Sequence, residues 1–375
     1  MHGTDHLKEA ERLMTVCNSC RYCEGLCAVF PAMELRRNFS DADLNYLSNL
    51  CHSCGACYVD CQFSPPHEYN VNVPKTLAQV RTDSYRAYAW PKMFQPLFDR
   101  NGLAITIITA LSVASFILGF ALWHDPAVLT TDSGQFYRLM PHNIMAALFG
   151  AVALYAILAL VMGFRIFWKE IGAGSVSAGS GTTLWQAGKD AAGLRYLDGG
   201  GVGCYNEDEK PTDRRRLYHH MTFYGFILCF AATTTGTFLH YFLDWPAPYG
   251  WTELPKLFGI PGGIGLVIGP LGLLRAKFTR ERDMTDPAKF GMDTAFLAMM
   301  LLTGLTGLLL MVLRDTPAMG VTLAIHLGVV FALFLTMPYG KFVHGLYRFG
   351  ALALYAAEQK ADRPARVAAP SGSPS

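Results

Sequence analysis

The sequence predicts an all-α protein in two unlike parts: a small cysteine-rich helical domain, then a polytopic bundle of about six transmembrane helices. Three observations carry that expectation. Eight of the ten cysteines lie between Cys17 and Cys61, in two copies of one pattern. The 375 residues are 51% hydrophobic and only 16% charged, unusually apolar for a soluble protein of this size. Beyond residue 100 the apolar residues gather into six long segments instead of spreading evenly.

The cysteine runs are Cys17, Cys20, Cys23, Cys27 and then Cys51, Cys54, Cys57, Cys61, each reading C-x2-C-x2-C-x3-C. That is the bacterial ferredoxin spacing for [4Fe-4S] clusters, in which three thiolates on a tight turn cap three irons and the fourth ligates the other cluster. Two [4Fe-4S] clusters are therefore expected. One is held by Cys17, Cys20, Cys23 and Cys61, the other by Cys51, Cys54, Cys57 and Cys27. Structural zinc needs only two C-x2-C pairs and leaves the third and fourth cysteines of each run without a purpose. Disulfides need an oxidising compartment, and MHGTDHLKEAERLMTV is a polar start without an apolar signal core. TDHLKEAERLMTV and SDADLNYLSNL, the second capped by Ser40, predict short helices around the runs. The arrangement resembles the helical two-cluster ferredoxin modules of succinate dehydrogenase and heterodisulfide reductase subunits, and residues 1–73 are assigned to such a domain.

Residues 74–100 read as an interfacial linker helix with aromatic and basic anchors. The membrane bundle occupies 101–350, with spans at 102–123, 143–168, 217–240, 257–274, 292–313 and 320–344. Each is long enough to cross a hydrocarbon core of ~30 Å, the fourth being short and glycine-rich. The Ala-, Pro- and Ser-rich stretch 351–375 reads as a disordered tail. Basic residues concentrate in the loop after the second span, with Lys169, Lys189, Arg195, Lys210 and Arg214 to Arg216, and in the loop after the fourth, with Arg275, Lys277, Arg280, Arg282 and Lys289. The positive-inside rule then places both termini in the cytoplasm, and the expected location is a bacterial inner membrane. A net charge of +2 gives no reason to expect a nucleic-acid partner. The spans carry no central acidic residue, which weighs against ion transport.

Histidines mark the ends of the spans. On the helix of the sixth span His326 and His344 are five turns apart on a shared face, about 27 Å along the axis. His219 and His240 share a face of the third, which runs antiparallel to the sixth. Packing the two would level His219 with His344 on the cytoplasmic side and His240 with His326 on the far side, with His142 a rival ligand for the outer position. Each pair is suited to a six-coordinate b-type haem, so one or two haems are expected. The competing reading is that these histidines reach water or lipid headgroups. Arg214, Arg215 and Arg216 would lie at the cytoplasmic haem edge, where guanidinium groups neutralise propionates or a charged quinone, or else they serve only as cytoplasmic anchors.

The cysteine runs, then LRYLDGGGVGCYNEDE with Cys204, then RRRLYHHMTFYGFILCFAATTTGTFLHY with His219, His220 and Cys229, are together similar to the tricarballylate-utilisation protein B family, also called citrate-utilisation protein B. The resemblance runs from about Val16 to about Phe349. It implies a membrane iron-sulfur protein with b haem that takes electrons from a partner FAD-dependent dehydrogenase, one acting on tricarballylate, and passes them to the membrane quinone pool. The chain has no G-x-G-x-x-G in a strand-helix context, so the flavin belongs to another polypeptide. The chain departs from the common ferredoxin run in placing Ala28 and Gln62, not proline, after the fourth cysteines, which implies a changed loop path. No catalytic residue is assigned. Two other classes stand beside this reading. An enzyme acting directly on a disulfide would use adjacent cysteines, and the chain has none. A redox sensor or membrane anchor would use the clusters without haem-to-quinone transfer, so haem content separates it from an electron conduit.

Overall fold

The computed structural model describes residues 2–124, 126–130, 136–174, 177–206 and 210–368. It contains no strand among those residues, only an isolated bridge between Cys204 and Thr212. Five helices precede the bundle: α1 (Asp5–Cys20), α2 (Val29–Glu34), α3 (Asp41–Leu50), α4 (Ala56–Val59) and α5 (Val73–Ala87). Local chemistry sets their ends. Thr4 caps α1, Asn72 caps α5 with Pro74 in its first turn, and Ser40 forms a reciprocal capping box with Asp43 at α3. Leu13, Met14, Leu44, Leu47, Leu77 and Val80 are fully buried where α1, α3 and α5 meet.

Six helices are long and apolar enough to cross a membrane. They are α6 (Asn101–Trp123), α8 (His142–Glu170), α10 (Arg214–Phe242), α11 (Leu254–Thr279), α12 (Phe290–Leu313) and α13 (Met319–Thr336), the last extended by a 3-10 turn to Tyr339. Between them lie a single turn, α7 (Phe136–Leu139), and a short helix, α9 (Gly181–Ala192). The fourth span is a full 26-residue helix with Pro261 and Pro270 inside it. Its glycines explain its composition: a Cβ at Gly265 would stand 2.7 Å from the Met221 carbonyl, and one at Gly269 2.5 Å from Thr222 Oγ1. Small residues let α10 and α11 approach backbone to backbone, as close helix pairs in lipid do.

Three expectations from the sequence change here. Residues 74–100 do not form one interfacial helix. Tyr85 and Tyr88, two of the aromatic residues of that stretch, are 1% exposed in the core between α5, α8 and the C-terminal helix, and 92–98 form a separate 3-10 segment. The sixth span does not reach His344. It stops at the Met337–Tyr339 turn, where Pro338 and the extended Gly340 end the helix, and α14 (Val343–Ala368) begins on a new course. Residues 351–368 are helical, with Ala351, Leu352, Ala353 and Leu354 packed on the cysteine-rich domain, so the expected disordered tail is not found there. The rest of it, 369–375, lies outside the described residues.

Candidate metal centres

The two cysteine runs fold into interlocked loops. Cys17, Cys20, Cys23 and Cys61 line one cavity with about 440 Å³ of unfilled space, its mouth included, while Cys27, Cys51, Cys54 and Cys57 line a second of about 360 Å³. Each fourth cysteine thus joins the other run's first three. Phe30, Val73 and Cys57 line both cavities, so the two adjoin. Gly55 makes the second loop possible. It caps α4 at φ +91°, and a Cβ there would come within 2.9 Å of Met284 Sδ.

Burial and neighbouring sulfurs push the Cys17 and Cys23 thiols up to about 12 and hold Cys27 and Cys57 well above the ordinary thiol range. Burial, with Cys204 and Cys51 adding to it, pushes Cys54 up to about 11. Thiols packed this way stay protonated unless a bound metal supplies compensating positive charge. The sulfurs line walls and do not converge: among the described residues no three His, Cys, Asp or Glu side chains are placed to hold a single metal ion. A cubane takes its four cysteines at separate irons and needs no single point of convergence.

The cavities differ in shelter. Cys20 is exposed and Tyr22, beside it, is 72% exposed, so the first opens at the surface. The second is roofed by the 193–206 loop, whose Leu194, Leu197, Cys204 and Tyr205 pack with Cys54 and Ala56. Tyr205 N–H donates to the Cys54 carbonyl at 2.9 Å. Cys204, which carried no role in the sequence, is wholly buried in this roof and donates its thiol to the Leu197 carbonyl.

Below the second cavity the bundle presents His219 and His344. Their ring centroids are 6.1 Å apart at 78°. Two imidazoles sharing one iron would have centroids about 6 Å apart, given metal–nitrogen bonds of roughly 2 Å. His344 Nδ1 lies 2.5 Å from the Lys341 carbonyl and must carry the proton it donates there, which leaves Nε2 free as a ligand. Burial, with Arg348 and Lys341 nearby, keeps this ring far below the ordinary histidine range and hence neutral. His219 Nδ1 is shielded and has no hydrogen-bond partner. Lys341 and Lys277 each pair with Asp293 at 2.9 Å, which ties the turn carrying His344 to α11 and α12. The residues present fit a bis-histidine haem.

The far end does not repeat this pattern. His240 meets His142, not His326, and the two rings are stacked at 3.7 Å and 22°, too close to flank an iron. His326 sits on α13 with its Nδ1 2.8 Å from Thr306 Oγ1 on α12. The expected His240/His326 pair is therefore not formed, because His326 and His344 do not share a helix and the facing register cannot hold at both ends.

The arginine triplet splits. Arg214 is exposed and Arg216 donates to the Gly193 carbonyl, whereas Arg215 reaches the Ser53 carbonyl at 2.5 Å, beside the second cavity. Sequence reading missed the groups that join it. Arg81 from α5, Arg280 after α11 and Arg348 from α14 all bond the same short loop, and His52 lines the same cavity.

The model of the family described as citrate utilization protein B matches residues 96–365, and that of the citrate utilization protein B Fer4-like domain matches residues 10–87. The chain is 47% identical over 371 residues to a citrate utilization protein B from Escherichia coli, covering 97% of this chain and 96% of that protein. No solved structure matches it.

Proposed function

The chain belongs to the citrate utilization protein B family, and on that premise we propose that it is a membrane electron conduit. It reoxidises the reduced FAD of a partner dehydrogenase, one acting on tricarballylate or a related tricarboxylate, and passes the electrons through two [4Fe-4S] clusters and a b haem to the quinone pool. One observation carries this reading: the exposed cavity lined by Cys17, Cys20, Cys23 and Cys61 adjoins the roofed one lined by Cys27, Cys51, Cys54 and Cys57, and Arg215 and Arg348, each four residues from His219 and His344, donate to the backbone of that second run.

Bound clusters and haem would supply one-electron carriers. The chain's residues supply order and shelter. Cys17, Cys20, Cys23 and Cys61 hold the entry point at the surface, where a flavoprotein can dock. Cys27, Cys51, Cys54 and Cys57 hold the next point beneath the 193–206 roof, which excludes water. His219 and His344 then grip the haem at the mouth of the bundle, with Lys341 fixing the orientation of His344. The cysteine-rich domain sits at the end of the bundle that carries the basic loops, so by the positive-inside rule the domain and both termini face the cytoplasm of a bacterial inner membrane.

The test is flavin-driven haem reduction. Cys54→Ser is expected to abolish it while dithionite still reduces the haem fully. Normal flavin-driven reduction in a variant shown to lack the second cluster would contradict the serial path.

A further inference from the structure

Four arginines from four separate parts of the chain converge on two residues of the second cysteine run, Cys51 and Ser53. Arg81 Nη1 donates to the Cys51 carbonyl at 2.7 Å and its Nη2 to Ser53 Oγ at 3.0 Å. Arg348 Nη2 donates to the Cys51 carbonyl at 2.9 Å. Arg215 and Arg280 donate to the Ser53 carbonyl at 2.5 and 2.8 Å. No ion pair among the described residues involves any of the four. The Nε atoms of Arg280 and Arg348 are shielded from solvent with no hydrogen-bond partner. A guanidinium does not shed its charge in a protein, so four of them crowded with no ion-paired carboxylate among the described residues repel one another and favour an anion nearby.

The anion that the geometry offers is the second cluster itself. Arg280 is close enough to feel Cys51, Cys54 and Cys204, Arg348 feels Cys51, and Arg215 acts on Cys54. The first run has one arginine against the second's four: Arg21 is exposed and donates to the Asn18 carbonyl, and the charged group acting on Cys23 is Asp60. A four-thiolate cubane is a net anion in both oxidation states and gains one further negative charge on reduction. Positive charge beside it therefore favours the reduced state, and net charge is one of the terms that set cluster potentials.

Building on the proposed cluster assignment, we propose that Arg81, Arg215, Arg280 and Arg348 are positioning residues that raise the potential of the Cys27/Cys51/Cys54/Cys57 cluster above that of the surface cluster. Electrons entering at Cys20 then settle on the inner cluster, beside His219 and His344, and are held away from the exposed one. The direction of transfer is written into the unequal placement of charge around two sites with the same cysteine spacing.

The experiment is an EPR-monitored redox titration of the full chain, purified anaerobically in detergent, with the two cluster signals assigned through Cys20→Ser and Cys54→Ser. In wild type the inner cluster titrates at the higher potential. Arg280→Gln and Arg348→Gln are each expected to weaken its reduction at least tenfold, 59 mV for one electron, with the surface cluster unmoved. Arg348→Lys, which keeps the charge, restores most of the difference. An unchanged inner potential at full cluster content overturns the proposal, as does an equal shift of both clusters. A shift confined to the haem also overturns it, by giving the arginines to the haem carboxylates. If a glutamine variant assembles no inner cluster, assembly at the wild-type potential in the matching lysine variant supports the charge role, and failure in both reduces the arginines to scaffold. Absence of any cluster signal in wild type would contradict the proposed function rather than the role of these arginines.

Discussion

At the scale of single residues, a few buried charged contacts hold the redox loops to the bundle. Glu358 on α14 accepts from Arg36 at 2.6 Å and from the Tyr46 hydroxyl at 2.9 Å, and both charged side chains are 13% exposed. Arg36 also keeps Asp43, so Glu358→Ala should destabilise the cysteine-rich domain by about 3 kcal/mol, the lower end of what breaking a buried pair costs. Loss of cluster absorbance at lower guanidinium concentration than in wild type would check it. Asp293 binds Lys277 and Lys341 and so fixes the turn that presents His344. Asp293→Asn is expected to lower haem content while cluster content holds, measured as Soret absorbance against iron. The eight cysteines were legible in the sequence, because spacing alone encodes a ferredoxin loop; His219 and His344 were brought together there on a continuous sixth helix, whereas it is the start of α14 that sets their rings 6.1 Å apart. The four arginines were not legible there. They are scattered from residue 81 to residue 348, and only the fold brings them to one loop; in the sequence Arg280 is simply part of a positively charged connection, and Arg215 points to a haem edge or a cytoplasmic anchor.

At the scale of elements, glycine decides the closest helix contact. Gly262, Gly265, Gly269 and Gly272 face Tyr218, Met221, Thr222, Gly225 and Cys229 across the α10/α11 seam. Gly265→Val would place atoms against the Met221 carbonyl, two residues from His219, at a cost of roughly 1–3 kcal/mol from overpacking. The expected outcome is lost or low-affinity haem with both clusters retained, read from the same absorbance ratio. Hydropathy found this span and its spacing of small residues marks its contact face. The break between α13 and α14 was harder to see, because GKFV continues an apolar stretch in composition while Pro338 and Gly340 end the helix in geometry. The amphipathic pattern of α14 was present in Tyr347, Ala351, Leu354, Tyr355 and Glu358, but the following Pro- and Ser-rich residues masked it.

At the scale of the whole molecule, the protein arranges its chemistry along one line. A surface cavity of four cysteines leads to a roofed one and then to a histidine pair at the mouth of six apolar helices, with basic loops and α14 closing the sides. The division into a cysteine-rich domain and a helical bundle followed from composition, whereas the second haem suggested by His240 and His326 rested on a continuous sixth helix that the chain does not form. The central claim is thus a single haem between His219 and His344, fed by the clusters. The measurement that tests it most directly is haem per chain, by pyridine haemochrome, on protein purified anaerobically in detergent. Wild type should hold one b haem, His344→Ala none, and His326→Ala one. A wild type without haem, or a His344→Ala variant that keeps its full complement, would contradict the account.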